Sequence, residues 1–134
     1  MIKIITLIIA ICFLSPIISK AQAHLGSTLS EIKSKYPDKN FKINVTNDGQ
    51  KYTTAKMGLG EFVYYFDKET NLSNLVIQIP NNMTALNTQV EIYNKKYVIV
   101  SEVSWKAYLE GGGIMYIDLQ YNKDLDSYIF YYTN

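Results

Sequence analysis

The feature that most limits the fold of this chain is a set of runs in which side chains alternate with period two. "EFVYYF", "NLVIQI", "IMYIDLQY" and "SYIFYY" each carry one strongly apolar row and one mixed row, with polar turns such as "DKETN" and "NKDLD" between them. Successive residues of a strand point to opposite faces, so this spacing predicts half-buried antiparallel strands. Strands are expected at roughly 41–45, 51–57, 61–67, 73–79, 97–102, 104–109, 114–121 and 127–133. The Asp-Gly within "TNDGQ" marks a tight hairpin between the first two. In "EGGGIMYIDLQY" three glycines run straight into a strand. A phosphate-binding loop needs a helix at that point, so the glycines are expected to turn a corner.

Two segments read as helix. "STLSEIKSKYP" has Thr28 followed three positions on by Glu31, a capping box, with Leu29, Ile32 and Tyr36 on one face and Pro37 as the stop. "NNMTALNTQVEIYNKKY" places Leu86, Val90 and Tyr93 on one stripe. Residues 58–79 also align without a gap on residues 111–132. Phe62, Tyr64 and Phe66 then fall on Met115, Ile117 and Leu119, and Leu75, Ile77 and Ile79 on Tyr128, Phe130 and Tyr132; Tyr52 falls on Trp105. The expectation is a single α+β domain over 24–134, a tandem helix-plus-four-strand repeat with halves at about 25–80 and 81–134. It is a two-layer arrangement with the helices on one face of an antiparallel sheet. Phe62, Tyr64, Phe66, Leu75, Ile77 and Ile79 are expected to point into its core.

The first 23 residues read as a signal peptide: Lys3, an apolar run from Ile4 to Leu14, then Ala21-Gln22-Ala23 as the cleavage pattern. Cys12 lies inside the apolar run after Ile11, where a lipid-anchoring signal would carry a small residue, so cleavage without lipidation is expected. The remaining chain then has no cysteine and no disulfide. Of the 13 basic residues, all lysine, Lys3 and Lys20 precede residue 24, which leaves 11 against 12 acids. Without arginine or a basic excess, nucleic-acid binding is not expected. The expected location is periplasmic or secreted, with no membrane span after signal cleavage, in a bacterial envelope.

Few chemistries are available. His24 is the single histidine, which removes Ser-His-Asp and Cys-His schemes and ordinary zinc sites. It is expected to be a disordered terminus. No catalytic residue, metal or cofactor is assigned. Asp38, Asp48, Asp67, Glu69, Asp124 and Asp126 fall in turns, where such residues are common. Asp118 stands alone in mid-strand, and with Glu110 it forms the one carboxylate pair on which a hydrolase could be built.

The tyrosines are the positive signal. All 12 lie after residue 23, alongside Trp105. The row opposite the expected core holds Val63, Tyr65, Val76 and Gln78, then Tyr116, Asp118, Gln120, Ile129 and Tyr131, with Lys106 and Tyr108 beside them. Tyrosine gives large contact area at low entropic cost and is enriched at interfaces. Tyr65, Tyr108, Tyr116, Asp118, Gln120 and Tyr131 are the candidate partner-binding residues. "LGSTLSEIKSKYP" resembles the opening of the β-lactamase-inhibitor-protein group and of the SmpA/OmlA envelope proteins. "YPDKNFKI" followed by "FVYYFDKETN" is similar to PepSY-like periplasmic proteins of Bacteroidetes. The resemblance implies a non-enzymatic envelope domain that presents a sheet face to a protein. The function expected is therefore a binding module for a protein partner, monomeric or weakly dimeric. Glycan or peptide binding is the alternative, and a carboxylate-based hydrolase a further one.

Overall fold

Eight strands form one continuous antiparallel sheet in the computed structural model, which describes residues 24–110 and 112–134. The segment expected to be a signal peptide, with Cys12, and Gly111 lie outside the described residues. The strands are β1 (Lys42–Val45), β2 (Lys51–Met57), β3 (Gly60–Phe66), β4 (Ser73–Pro80), β5 (Val98–Ser101), β6 (Ser104–Tyr108), β7 (Ile114–Asn122) and β8 (Ser127–Thr133). Helix α1 (Leu29–Lys35) precedes β1, and α2 (Met83–Lys96) lies between β4 and β5. Across the sheet the order is β1-β2-β3-β4-β8-β7-β6-β5. Hairpins join neighbours on each side, and the pairing of β4 with β8 closes the middle.

This architecture corrects the expected tandem helix-plus-four-strand repeat. The fold is sheet-rich, with 19% of it helical, and the two helices are unequal at 7 and 14 residues. The gapless alignment of the halves also fails in three dimensions. Tyr52 pairs with Tyr65 on one face, whereas Trp105, its supposed equivalent, pairs with Ile117 on the other. Ile77 lies opposite Tyr131, so it does not share a face with Phe130. The turns differ as well: Gly58-Leu59 closes β2–β3 between Met57 and Gly60, while residues 109–113 close β6–β7. The shared period of two, common to all strands, produced the alignment.

The glycine run does turn a corner. Leu109 N–H donates to Gly113 O at 2.8 Å and Gly112 N–H to Leu109 O at 3.2 Å, with Gly112 at φ +93°. No helix follows it; β7 does.

Both helices pack on one face. Thr28 caps α1 by accepting from Glu31 N–H at 3.2 Å, and Ile32 is the helix's buried residue. Asn82 caps α2, which buries Ala85, Leu86, Gln89 and Tyr93. The inner sheet residues beneath them are Phe62, Tyr64, Phe66, Val76, Trp105, Met115, Ile117, Phe130 and Tyr132. Tyr93 is the hub, with its ring 5.7 Å from Trp105 and 5.5 Å from Phe130 in edge-on geometry.

In β4 the expected phase is reversed. Val76 and Gln78 face the core, paired across from Tyr64 and Phe62, and Leu75, Ile77 and Ile79 face away. Burying Gln78 is tolerated because its amide is satisfied. Tyr132 Oη donates to Gln78 Oε1 at 2.7 Å, and Gln78 Nε2 donates to Gln89 Oε1 at 3.4 Å. Tyr93 and Tyr132 hydroxyls bond to each other. Among the described residues, no buried side-chain nitrogen or oxygen lacks a partner.

His24 is ordered, against expectation. Its Nε2 lies 2.9 Å from Tyr36 Oη, its ring stands edge-on to Tyr36, and its carbonyl accepts from Ser73 Oγ. Gly26 N–H to Ser73 O and Ser73 N–H to Ser27 O, both 2.8 Å, fasten residues 24–27 to the start of β4.

Candidate binding face

The sheet face turned away from both helices is built by alternation. Where Phe62, Tyr64, Met115, Ile117, Phe130 and Tyr132 point inward, their neighbours point outward. Tyr65, Tyr108, Tyr116, Asp118, Gln120 and Tyr131 all stand on this outer face. No described element lies over it: the side-chain partners of α2, Gln78, Trp105, Phe130 and Tyr132, are all on the inner face, as is Tyr64, which meets His24 just before α1.

The register sorts these residues into neighbourhoods. Asp118 on β7 lies between Tyr131 on β8 and Ser104 on β6. Tyr116 lies opposite Lys106, whose Nζ is 5.9 Å from the Tyr116 ring centroid. That distance is within cation–π range. Tyr65 pairs with Tyr52, ring centroids 5.5 Å apart, on the far side of β4. Burial raises the Tyr65 hydroxyl above the ordinary tyrosine range, and the Tyr52 and Tyr131 phenols push the same way. Gln120 and Tyr108 do not meet. Tyr108 pairs with Ile114 and Gln120 with Ile129, which puts them roughly 20 Å apart along β7.

Exposure is uneven across the face. Tyr108 is 70% exposed and Tyr116 38%, whereas Val63 and Ile129 are closed to solvent. Tyr65, Tyr131 and Asp118 are half-buried, as are Leu75, Ile77 and Ile79 of β4. The accessible aromatic surface is therefore richest on β6 and β7. Sequence reasoning missed Tyr52, which it aligned with Trp105 and did not count among the outer residues, and the β4 aliphatics, expected in the core by phase. It also placed Val76 and Gln78 here, and both belong inside. The alternation of β4 alone could not have found this, because its more apolar row is the one that faces away from the core.

The carboxylate pair does not converge. Glu110 belongs to the loop beyond Ile114, so Asp118 stands roughly 13 Å or more from it along β7. Asp67 and Asp48 serve turns instead. Asp67 accepts from the Glu69 and Thr70 N–H groups at 2.9 Å each, and these bonds hold its carboxyl below the usual range. Among the described residues no cluster of His, Cys, Asp and Glu could hold a metal ion. A cavity of about 260 Å³ lies beside α1, lined by Thr28, Leu29, Ile43, Lys51, Phe66 and Asn71 among others, and no carboxylate lines it.

No protein-family model, no curated protein and no solved structure matches the chain. Among the described residues no helix is long and apolar enough to cross a membrane.

Proposed function

We propose that this protein is a non-enzymatic binding module, exported to the periplasm or beyond, that engages a protein partner through the outer sheet face. One observation carries the reading: Leu75, Ile77 and Ile79 of the central strand β4 lie outside the core, flanked by tyrosines and under no described element. Aliphatic side chains bordered by Tyr and polar groups suit a protein interface, whose centre is apolar and aromatic and whose rim is polar. The short-motif resemblance to envelope proteins that present a sheet face points the same way. A second reading, glycan or peptide binding, draws on β7 alone. There Tyr116, Asp118 and Gln120 form a row of one ring and two polar groups beside Lys106.

The test is capture from envelope extract on immobilised protein, set against the double variant Tyr108→Ala/Tyr116→Ala. Both side chains are exposed, so the variant's melting transition should stay within about 0.5 kcal/mol of wild type. A partner held by wild type and released by the variant supports the outer face. Equal capture by both moves the site elsewhere. Retention of a glycan, with no protein captured, favours the second reading.

A further inference from the structure

The sheet has two free edges, and they differ in chemistry. β1 reads Lys-Ile-Asn-Val, with a charge and an amide alternating along it. β5 reads Val-Ile-Val-Ser and carries no charge, although Val98, Ile99 and Val100 are 49%, 55% and 55% exposed. β5 pairs only with β6, so its other side offers unpaired backbone groups. Edge strands of monomeric proteins are normally guarded by charge, and an apolar one is a template for another strand. The charges near β5 stand at its two ends instead: Lys95 and Lys96 close α2, and Glu102 sits in the turn to β6.

We infer that β5 pairs antiparallel with β5 of a second copy about a twofold axis at Ile99. In that register Val98 faces the partner copy's Val100, and the Lys96 end of each strand, where α2 closes, comes beside the Glu102 end of the other, in the turn to β6. The twofold repeats the Lys96–Glu102 pair at both ends. A parallel pairing would set Lys96 against Lys96. A one-residue slip would separate Lys96 from Glu102 and would turn the two copies' helices to opposite faces of the joined sheet. The Ile99-centred register keeps all helices on one face and leaves the outer tyrosine faces continuous. The register shift between Ile99 and Ser101 restricts the paired length, so the dimer is a weak one.

Sedimentation velocity of the purified protein from micromolar to millimolar concentration tests this. Wild type should pass from monomer to dimer as concentration rises. Ile99→Lys, which brings two like charges to the axis, should stay monomeric while its far-ultraviolet circular dichroism is unchanged. Lys96→Glu and Glu102→Lys should each raise the dissociation constant roughly tenfold, because each replaces two attractive pairs by two repulsive ones. The combination Lys96→Glu/Glu102→Lys should return it to within roughly threefold of wild type. A wild type that stays monomeric throughout overturns the inference. So do single reversals that match wild type, a combination as weak as the singles, or species larger than dimers, which would indicate head-to-tail stacking of β5 on β1.

Discussion

The Tyr132 hydroxyl donates to Gln78 Oε1 at 2.7 Å across the β4–β8 seam, the strand pairing that, among the described residues, ties the first four strands to the last four. Both side chains are essentially inaccessible to solvent. Gln78 also reaches Gln89, and Tyr132 reaches Tyr93, so the bond docks α2 on the seam as well. Removing the donor strands a buried carbonyl oxygen, and that costs more than the net value of a hydrogen bond. Tyr132→Phe should therefore lower stability by about 1–3 kcal/mol, read from the denaturant midpoint. Tyr132→Phe combined with Gln78→Leu should cost less than the two single changes added together, because the second change removes the stranded group.

The same buried phenols set the alkaline limit. Burial pushes the hydroxyls of Tyr64, Tyr93 and Tyr132 far above the ordinary tyrosine value of 10. Below that value the folded and unfolded chains hold the same phenolic protons, and these groups add no pH dependence. Above it the unfolded chain loses protons that the folded chain keeps, so stability falls as pH rises. Three such groups give a slope of as much as about 4 kcal/mol per pH unit. Melting temperature followed from pH 8 upward should stay level and then drop steeply past about 10. The phenolate absorbance of these residues should appear together with unfolding; their titration in a still-folded protein would contradict the burial.

How much of this was legible depended on where each residue's partners lie. The strands could be read because alternation is a local property, and the eight observed strands begin and end within a residue or so of the expected ones. The Thr28 cap was equally local. The phase of β4 was not. In "LVIQI" the more apolar row, Leu75, Ile77 and Ile79, is expected inward, which sends Val76 and Gln78 outward, and the structure reverses this. Gln78 is buried because Tyr132, far away in sequence, and Gln89 supply its bonds. The six outer residues share a face as the alternation implies and their nearest neighbours come from local hairpins, but bringing Tyr65 to the same sheet as the β6–β8 residues requires the β4–β8 pairing, which no short stretch of sequence encodes.

Gly60 is the position where a single methyl group should do most harm. It begins β3 directly opposite Pro80, and a Cβ there would overlap the Ile79 carbonyl oxygen and lie 3.0 Å from its carbon. The obstacle is backbone of the central strand β4, which cannot rotate aside. Gly60→Ala should cost about 3 kcal/mol, by overpacking against a fixed wall. Gly112→Ala meets nothing within 4 Å and suffers only its positive φ, for a loss of about 1–2 kcal/mol. Thermal melts of the two variants side by side should rank them in that order.

Helix α2 offers the converse case, a site where the protein can be stabilised. Asn82 Oδ1 accepts from Ala85 N–H at 2.8 Å, and the first turn of α2 holds no acidic residue, whereas its last turn ends in Lys95 and Lys96. Asn82→Ala removes the cap and should cost about 1 kcal/mol. Asn82→Asp keeps the acceptor and adds a negative charge at the positive end of the helix dipole, a gain of about 0.5 kcal/mol at low salt. The new carboxylate, favoured in its charged form by the helix terminus, would have a lower pKa in the folded chain than in the unfolded one. Its benefit would be present at neutral pH and lost as pH falls below about 4. Denaturant midpoints of both variants at pH 7 and pH 3 should show Asn82→Asp above wild type at the first and no better than wild type at the second. Asn82→Ala should lie below wild type at pH 7.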